Sequence, residues 1–506
     1  MSLSKSVVWS PSGCEYDNAG LFTGMSFAND NGVELLGGAI STSQTFFASV
    51  VSKRVDKCVD SMQKMMQLRD PQLCLMLLRA CEGMPKLVYS WRSTPPEFLE
   101  EAACRFDREV LQALRWITVG EGPHFGTFHQ RLATLPVSMG GLGILLPSDL
   151  RCFTFSASAL SSFNLQQSIL GAPMLSSVND LPQHFHDHLL STCHHIAGVN
   201  ANAFCEDVLQ KSFDFNAAAP PFNTQLFMAR AFYETKKSVL LSDEYITSKG
   251  IANQRRFKGI IDSNSVQGTS AWLFALPNIG LKQVMSPLEF QSAVCLRLLI
   301  PQFTRGAICC QRTCSTEMDV YGYHALVCKG HFSSRHNIVR DALFDLMLPC
   351  RFDPVKEAPV ACLGFRSDRP TALRPADILM AGDDFDRDCV DVTVVSPLVT
   401  NNQPDIKVGD AAQRAELGKI EKHGLACEAA GYGFRAFAMD VFGVLGKESK
   451  LLLNRVIEKM SRETCCARYK AQAICQRRIS LALQLGVSRQ LLASREVVDP
   501  PESGVT

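Results

Sequence analysis

The sequence predicts a multidomain fold of α and α/β class, mostly helical in its N-terminal half and followed by a C-terminal domain whose elements run α-β-β-β-α-β. Three observations support this. With 506 residues, 46% of them hydrophobic and 20% charged, the chain can bury several cores, and roughly 100–200 residues per domain gives three or more. Apolar side chains recur at intervals of three and four over residues 46–190, the spacing of a single helix face. Residues 335–445 instead place three short, β-branched or apolar segments between two helical stretches, with a further strand-like segment after the second.

Taken in order, residues 1–45 read as short and strand-like, with Val33-Glu34-Leu35-Leu36-Gly37-Gly38-Ala39-Ile40 an apolar run broken by glycines. Residues 46–195 form a helical region. Val55, Val59, Met62 and Met66 define one core face, as do Leu73, Leu77 and Leu78, and the Gly-rich segment from Leu135 to Ile144 interrupts the pattern as a turn. Residues 196–300 open with a linker or exposed loop to about 225, rich in Asn and Ala with Pro220-Pro221, and turn helical again from 226. Residues 301–334 hold a cluster of cysteines and histidines. In 335–445, Ser333-Ser334 can cap a helix beginning near Arg335, whose apolar face is Val339, Ala342, Leu343, Leu346 and Met347. Strands are expected from Val355 to Val360, Ala376 to Met380 and Cys389 to Val395. Asp410 with Gln413 resembles a capping box for a helix running to about Ala430, Gly431 and Gly433 end it, and Phe434 to Met439 alternates as the last strand. Residues 446–506 are a basic helical region.

Composition excludes several classes. No run of eighteen apolar residues exists, and Met-Ser-Leu-Ser-Lys lacks the apolar core of a secretory signal, so an intracellular protein without a membrane partner is expected. Twenty irregularly spaced cysteines fit reduced thiols and one metal site better than a disulfide framework. The net charge of +1 rules out a uniformly basic surface. Charge is nonetheless segregated, because from Lys450 to Arg495 ten Lys and Arg face only Glu458 and Glu463.

The residues that point most directly to chemistry are Arg374-Pro375-Ala376-Asp377 and, after thirteen intervening residues, Asp391 in a β-branched run. Two acids on neighbouring strands are what a metal-dependent phosphodiesterase needs, since carboxylates supply oxygen ligands to a hard cation such as Mg²⁺. Glu357 on the first strand is a candidate third carboxylate. A lysine near the attacking water would stabilise developing charge or orient the nucleophile. Thr393 stands two residues after the second acid, so the lysine must come from elsewhere, and Lys419 and Lys422 on the following helix are the candidates. Gly382-Asp383-Asp384 reads as a solvated hairpin.

A second constellation lies upstream. Cys310, Cys314, His324 and Cys328 give C-x₃-C-x₉-H-x₃-C, close to the spacing by which a small knuckle gathers four ligands around Zn²⁺. Cys309 is an alternative first ligand, and His331 and His336 are spares.

These residues carry a resemblance. The CCHC knuckle, the helix start Arg335-His336-Asn337, Arg-Pro-x-Asp and then Asp391-Val-Thr resemble the C-terminal region of non-LTR retrotransposon polyproteins that carry a restriction-like endonuclease. The α-β-β-β-α-β order is the core order of that fold. Further upstream, Leu3-Ser4-Lys5-Ser6 and Val33-Glu34-Leu35-Leu36-Gly37 are similar to the last two motifs of a reverse transcriptase palm. Asp70-Pro71-Gln72, Phe106-Asp107 and Gln130 through Gly143 resemble its thumb and the segment after it. On this reading 1–45 is a palm end, 46–195 a thumb-like region, 301–334 the knuckle and 335–445 the endonuclease. The resemblance implies nicking of target DNA for primed reverse transcription, DNA and element RNA as partners, no small-molecule substrate, and a nuclear location. The polymerase aspartates would precede the region matched, so no reverse transcriptase activity is expected of this chain alone. A zinc-containing nucleic-acid-binding protein with an inactive nuclease fold, and a truncated element remnant, are the alternatives.

Overall fold

A computed structural model describes residues 3, 6–11, 20, 22–28, 31–171, 181–213, 223–309, 314–328, 332–358, 376–382, 387–398 and 406–496. Cys310, His331, the Arg374-Pro375 pair and the Asp383-Asp384 hairpin therefore lie outside the described residues. The chain forms two compact units, one of residues 1–69, 77–114 and 143–240, the other of 70–76, 115–142 and 241–506.

The first unit is mostly helical. The glycine-broken run forms a hairpin in which Val33–Leu35 pairs antiparallel with Gly38–Ile40. Its two-residue tip, Leu36 and Gly37, has φ of +53° and +83°, the left-handed pair that lets a tight turn follow the twist of its strands. In the helix Gln44–Met66, Val55, Val59 and Met62 are buried as their spacing predicts, and Met65 takes the place expected of Met66. Trp91 anchors the core with no exposed surface, its indole N–H donating to the Pro147 carbonyl at 2.9 Å. The expected linker from 196 is shorter than predicted. Residues Ala201–Ser212 form a helix that buries Ala201, Cys205, Val208 and Leu209, a core face that the Asn- and Ala-rich composition obscured. Residues 214–222, with Pro220-Pro221, lie outside the described residues.

The second unit contains the expected α-β-β-β-α-β order. Helix α1 (Phe332–Met347) is followed by strands β1 (Val355–Lys356), β2 (Ile378–Met380) and β3 (Asp388–Val395), helix α2 (Asp410–Ala429) and strand β4 (Gly433–Asp440). The sheet runs β1-β2-β3-β4. The first two pairings are antiparallel and the β3–β4 pairing is parallel over its full length, which requires the crossover that α2 provides. Val390 and Val392 are buried in β3, and the strand's apolar run reflects helices packed on the sheet: α1 against β3, and α2 against β3 and β4. Two further helices, α3 (Lys447–Glu463) and α4 (Arg468–Glu496), follow β4, and the helices Thr127–Ala133, Ile251–Ser265 and Pro287–Arg297 also belong to the unit.

Several local expectations are corrected. Helix α1 starts at Phe332, a turn earlier than predicted. Asp410 is not a cap: Gly409, at φ +81°, holds that position, and Asp410 pairs with Arg414 at 3.2 Å inside the first turn. β1 is only two residues long, and the rest of its expected run beyond 358 lies outside the described residues.

One buried acid organises this region. Glu416 of α2 accepts hydrogen bonds from the Ser449 backbone N–H at 2.9 Å, the Ser449 hydroxyl at 2.5 Å and the Glu448 N–H at 3.2 Å. It thus places a carboxylate on the orphan donors at the N-terminus of α3, where the helix dipole favours negative charge. Glu416→Ala should cost about 2–3 kcal/mol, and Glu416→Gln clearly less, as read by urea denaturation. Equal losses in the two variants would show that the acceptor is unimportant.

Candidate active site and metal centre

The two acids meet because of strand register. Ile378 pairs with Val390, so one step further along the antiparallel ladder Asp377 stands opposite Asp391. The Asp377 N–H donates to the Val390 carbonyl at 3.0 Å, and the Val392 N–H donates to Asp377 Oδ2 at 2.7 Å. The extra Ala376 between proline and acid does not disturb this. Ala376 is buried in a small apolar cluster with Cys389, Cys427 and Ala358, and Asp377 is carried to the Asp391 side.

Helix α2 supplies the basic partners. Lys419 Nζ lies 3.0 and 2.9 Å from the two oxygens of Asp391, and His423 Nε2 lies 3.8 Å from Oδ2. Positions 419, 423 and 427 fall one turn apart, so a single helix stripe faces β3. The structure places the two candidate lysines differently. Lys419 is on the acid pair, whereas Lys422 is exposed to solvent. On the other side, His336 Nε2 of α1 is 3.3 Å from Asp377 Oδ1, so His336 serves the acid pair and not the Cys/His cluster. Glu357 is close only through its backbone, donating to the Asp377 carbonyl at 2.9 Å. Its exposed carboxylate pairs with Arg340, so the structure does not bring it to the other two acids.

The electrostatics of the pair are asymmetric. Burial pushes the Asp391 carboxyl up to about 6, the nearby Asp377 charge adds to this, and Lys419 opposes it. Burial also acts on Asp377, but the His336 contact and the Val392 N–H outweigh it and hold this carboxyl below the usual range. Two carboxyls crowded into one site resist simultaneous ionisation, and here Lys419 and His336 supply the opposing basic partners.

Among the described residues the Cys/His cluster assembles with Cys309, the alternative first ligand, while Cys310 lies outside them. Cys309, Cys314, His324 and Cys328 present ligand atoms all within 4.8 Å of one another. Cys309 Sγ and Cys328 Sγ are 3.7 Å apart, and Cys314 Sγ and His324 Nε2 are 3.4 Å apart. Zinc–sulfur bonds of about 2.3 Å arranged tetrahedrally require sulfur–sulfur edges of about 3.8 Å, so the cluster can hold a metal such as zinc. Cys309, the alternative first ligand, supplies the fourth group here. Asp319 shapes the turn by accepting the Tyr321 N–H at 3.0 Å and the His324 N–H at 2.7 Å. Gly322, at φ +79°, is needed because a side chain would strike Phe303 and Leu491. The Cys314 thiol is pushed down to about 6, first by the Thr316 hydroxyl and amide and then by His324 and Cys309, which favours the thiolate a metal requires. Purified protein should carry about one zinc per chain. Cys309→Ser should abolish zinc retention and Cys310→Ser should spare it, as measured by elemental analysis; the reverse pattern would return Cys310 to the first position.

The basic C-terminal region is partly spent internally. Arg455 lies 3.4 Å from Asp388, Arg478 2.6 Å from Asp345 and Arg489 2.7 Å from Glu289. Lys450, Arg462, Lys470 and Arg477 remain exposed, a smaller basic surface than the sequence suggested. Among the described residues no helix is long and apolar enough to cross a membrane.

Sequence reasoning missed His423 altogether and assigned His336 only as a spare zinc ligand. The signal for His423 was its place four residues after Lys419, one turn along the same face. No protein-family model matches the chain, and no curated protein matches it.

Proposed function

We propose that this chain is a retrotransposon-derived, divalent-cation-dependent DNA endonuclease whose restriction-like domain nicks target DNA to prime reverse transcription. The observation that carries the reading is the convergence of Asp377, Asp391 and Lys419 from two adjacent strands and the crossover helix. Asp377 and Asp391 would hold a divalent cation such as Mg²⁺, and the chemistry it would supply is charge neutralisation on a phosphoryl oxygen and a lowered pKa of the attacking water. Lys419 supplies a cation beside that position, suited to orient the nucleophile or meet developing negative charge. His336 and the Val392 N–H fix the Asp377 carboxylate, and burial of Asp391 keeps bulk water from screening its charge. Exposed lysines and arginines of α3 and α4 would contribute phosphate contacts, and a chromosomal target implies a nuclear location.

One observation favours a second reading, a zinc-containing nucleic-acid-binding protein with an inactive nuclease fold. Lys419 covers both oxygens of Asp391, so a cationic side chain already occupies the face of that carboxylate. Nicking of supercoiled plasmid separates the two. The endonuclease requires Mg²⁺-dependent conversion to open circles that Asp377→Ala removes. Plasmid binding without nicking, or nicking that survives the substitution, would leave only the second reading.

A further inference from the structure

We propose that Arg335 links the Cys/His cluster to the acid pair, so that occupancy of the metal centre sets the position of Asp377 and Asp391. Arg335 is 1% exposed although it carries a guanidinium. Its Nη1 donates to the Leu326 carbonyl at 3.3 Å, two residues before the ligand Cys328, and to Gln490 Oε1 at 3.1 Å. Its Nη2 donates to the Val394 carbonyl at 3.0 Å, three residues beyond Asp391 on β3. Gln490 closes the circuit by donating to the Ala325 carbonyl at 2.6 Å, next to the ligand His324. The adjacent residue on α1 is His336, which holds Asp377. Helix α4 presses on this point through Gly486, where a Cβ would lie 2.9 Å from the Arg335 Cα.

A buried cation has few ways to adapt. With the metal bound, the turn at 324–328 is fixed and its two carbonyls are aimed at Arg335 and Gln490. Without it, those acceptors are no longer held, and a guanidinium that loses them cannot stay in a dry site, because an unpaired buried charge is far costlier than a solvated one. Arg335 must then move towards water, drawing the first turn of α1 with it. That motion releases the Val394 carbonyl and withdraws His336 from Asp377. Arg335 is a positioning residue: it touches neither candidate substrate nor candidate cation.

Amide hydrogen exchange on the full chain, zinc-loaded and chelator-stripped, tests this. Stripping should raise exchange across 377–380 and 390–394 by about tenfold, while the helix Ile251–Ser265 keeps its protection. Arg335→Met with zinc retained should reproduce the rise, and stripping that variant should add little in these strands. Gln490→Leu, which leaves the guanidinium in place, should give a smaller rise and guards against loss of folding in the arginine variant. Unchanged protection of both strands on stripping would overturn the link, as would a uniform rise throughout the unit. A second readout rests on the proposed nuclease reading: Mn²⁺ binding followed by electron paramagnetic resonance should weaken about tenfold on zinc removal. Failure of every form to bind Mn²⁺ would count against the acid-pair metal site, and the exchange result would still decide the Arg335 link.

Discussion

If the proposed nuclease reading holds, Asp391→Asn should lower Mg²⁺-dependent plasmid nicking by about three orders of magnitude without unfolding the chain. The substitution keeps the size and planarity of the side chain but removes the charge that Lys419 contacts through both oxygens. Loss of one preorganised electrostatic or acid–base group typically costs about 10²–10⁴ in rate, and on that reading Asp391 would also help to hold the cation. Lys419→Met should cost about 10²-fold and Lys422→Met almost nothing, because Lys422 does not reach the acids. Circular dichroism of each variant should superimpose on wild type. Full nicking by Asp391→Asn, or equal losses for the two lysine variants, would remove the assignment.

The second large effect concerns pH. Asp440, the last residue of β4, is buried at 1% exposure, and its Oδ1 accepts the Phe442 and Val444 N–H groups at 2.9 Å each. Oδ2 is buried without a hydrogen-bond partner. Burial pushes this carboxyl up to about 7, against the downward pull of the backbone donors. The native state therefore holds a proton that the unfolded chain, titrating at the ordinary value of 3.8, releases earlier. The associated stability is fully present below about pH 4, is lost as pH rises towards 7 and does not return above it, a difference on the order of a few kcal/mol. Asp440→Asn keeps an acceptor for both N–H groups and cannot ionise. Urea denaturation at pH 5 and pH 8 should show the variant gaining on wild type as pH rises. A difference between the two proteins that is constant with pH would disprove the buried ionisation.

Much of the α-β-β-β-α-β region was legible because its signals are local. The β-branched run at 389–395 and the glycines after α2 mark strand and helix ends through backbone preference alone, whereas the register that opposes Asp377 to Asp391 emerges only from the pairing of the two strands. The choice of Lys419 over Lys422 was open, since helical periodicity gives a face but not the face that meets the sheet. His336 and His423 could not be assigned from spacing because their partners lie on other elements. Cys309 and Cys310 are adjacent in a sequence with no helical or strand periodicity to distinguish them. The internal pairing of Arg455, Arg478 and Arg489 was invisible for the same reason: a charge run reports composition, whereas Asp388, Asp345 and Glu289 are tertiary neighbours.

Helix α2 also behaves as a ruler. Glu416, at its buried edge, is tied to the start of α3, and three residues later Lys419 reaches Asp391. Each helical residue turns about 100°, so one residue inserted between them would keep the anchor and swing the lysine about 100° around the helix, off the face that meets Asp391. Leu417, exposed at 59%, and Glu421 can change identity freely. The number of residues between Glu416 and Lys419 cannot change.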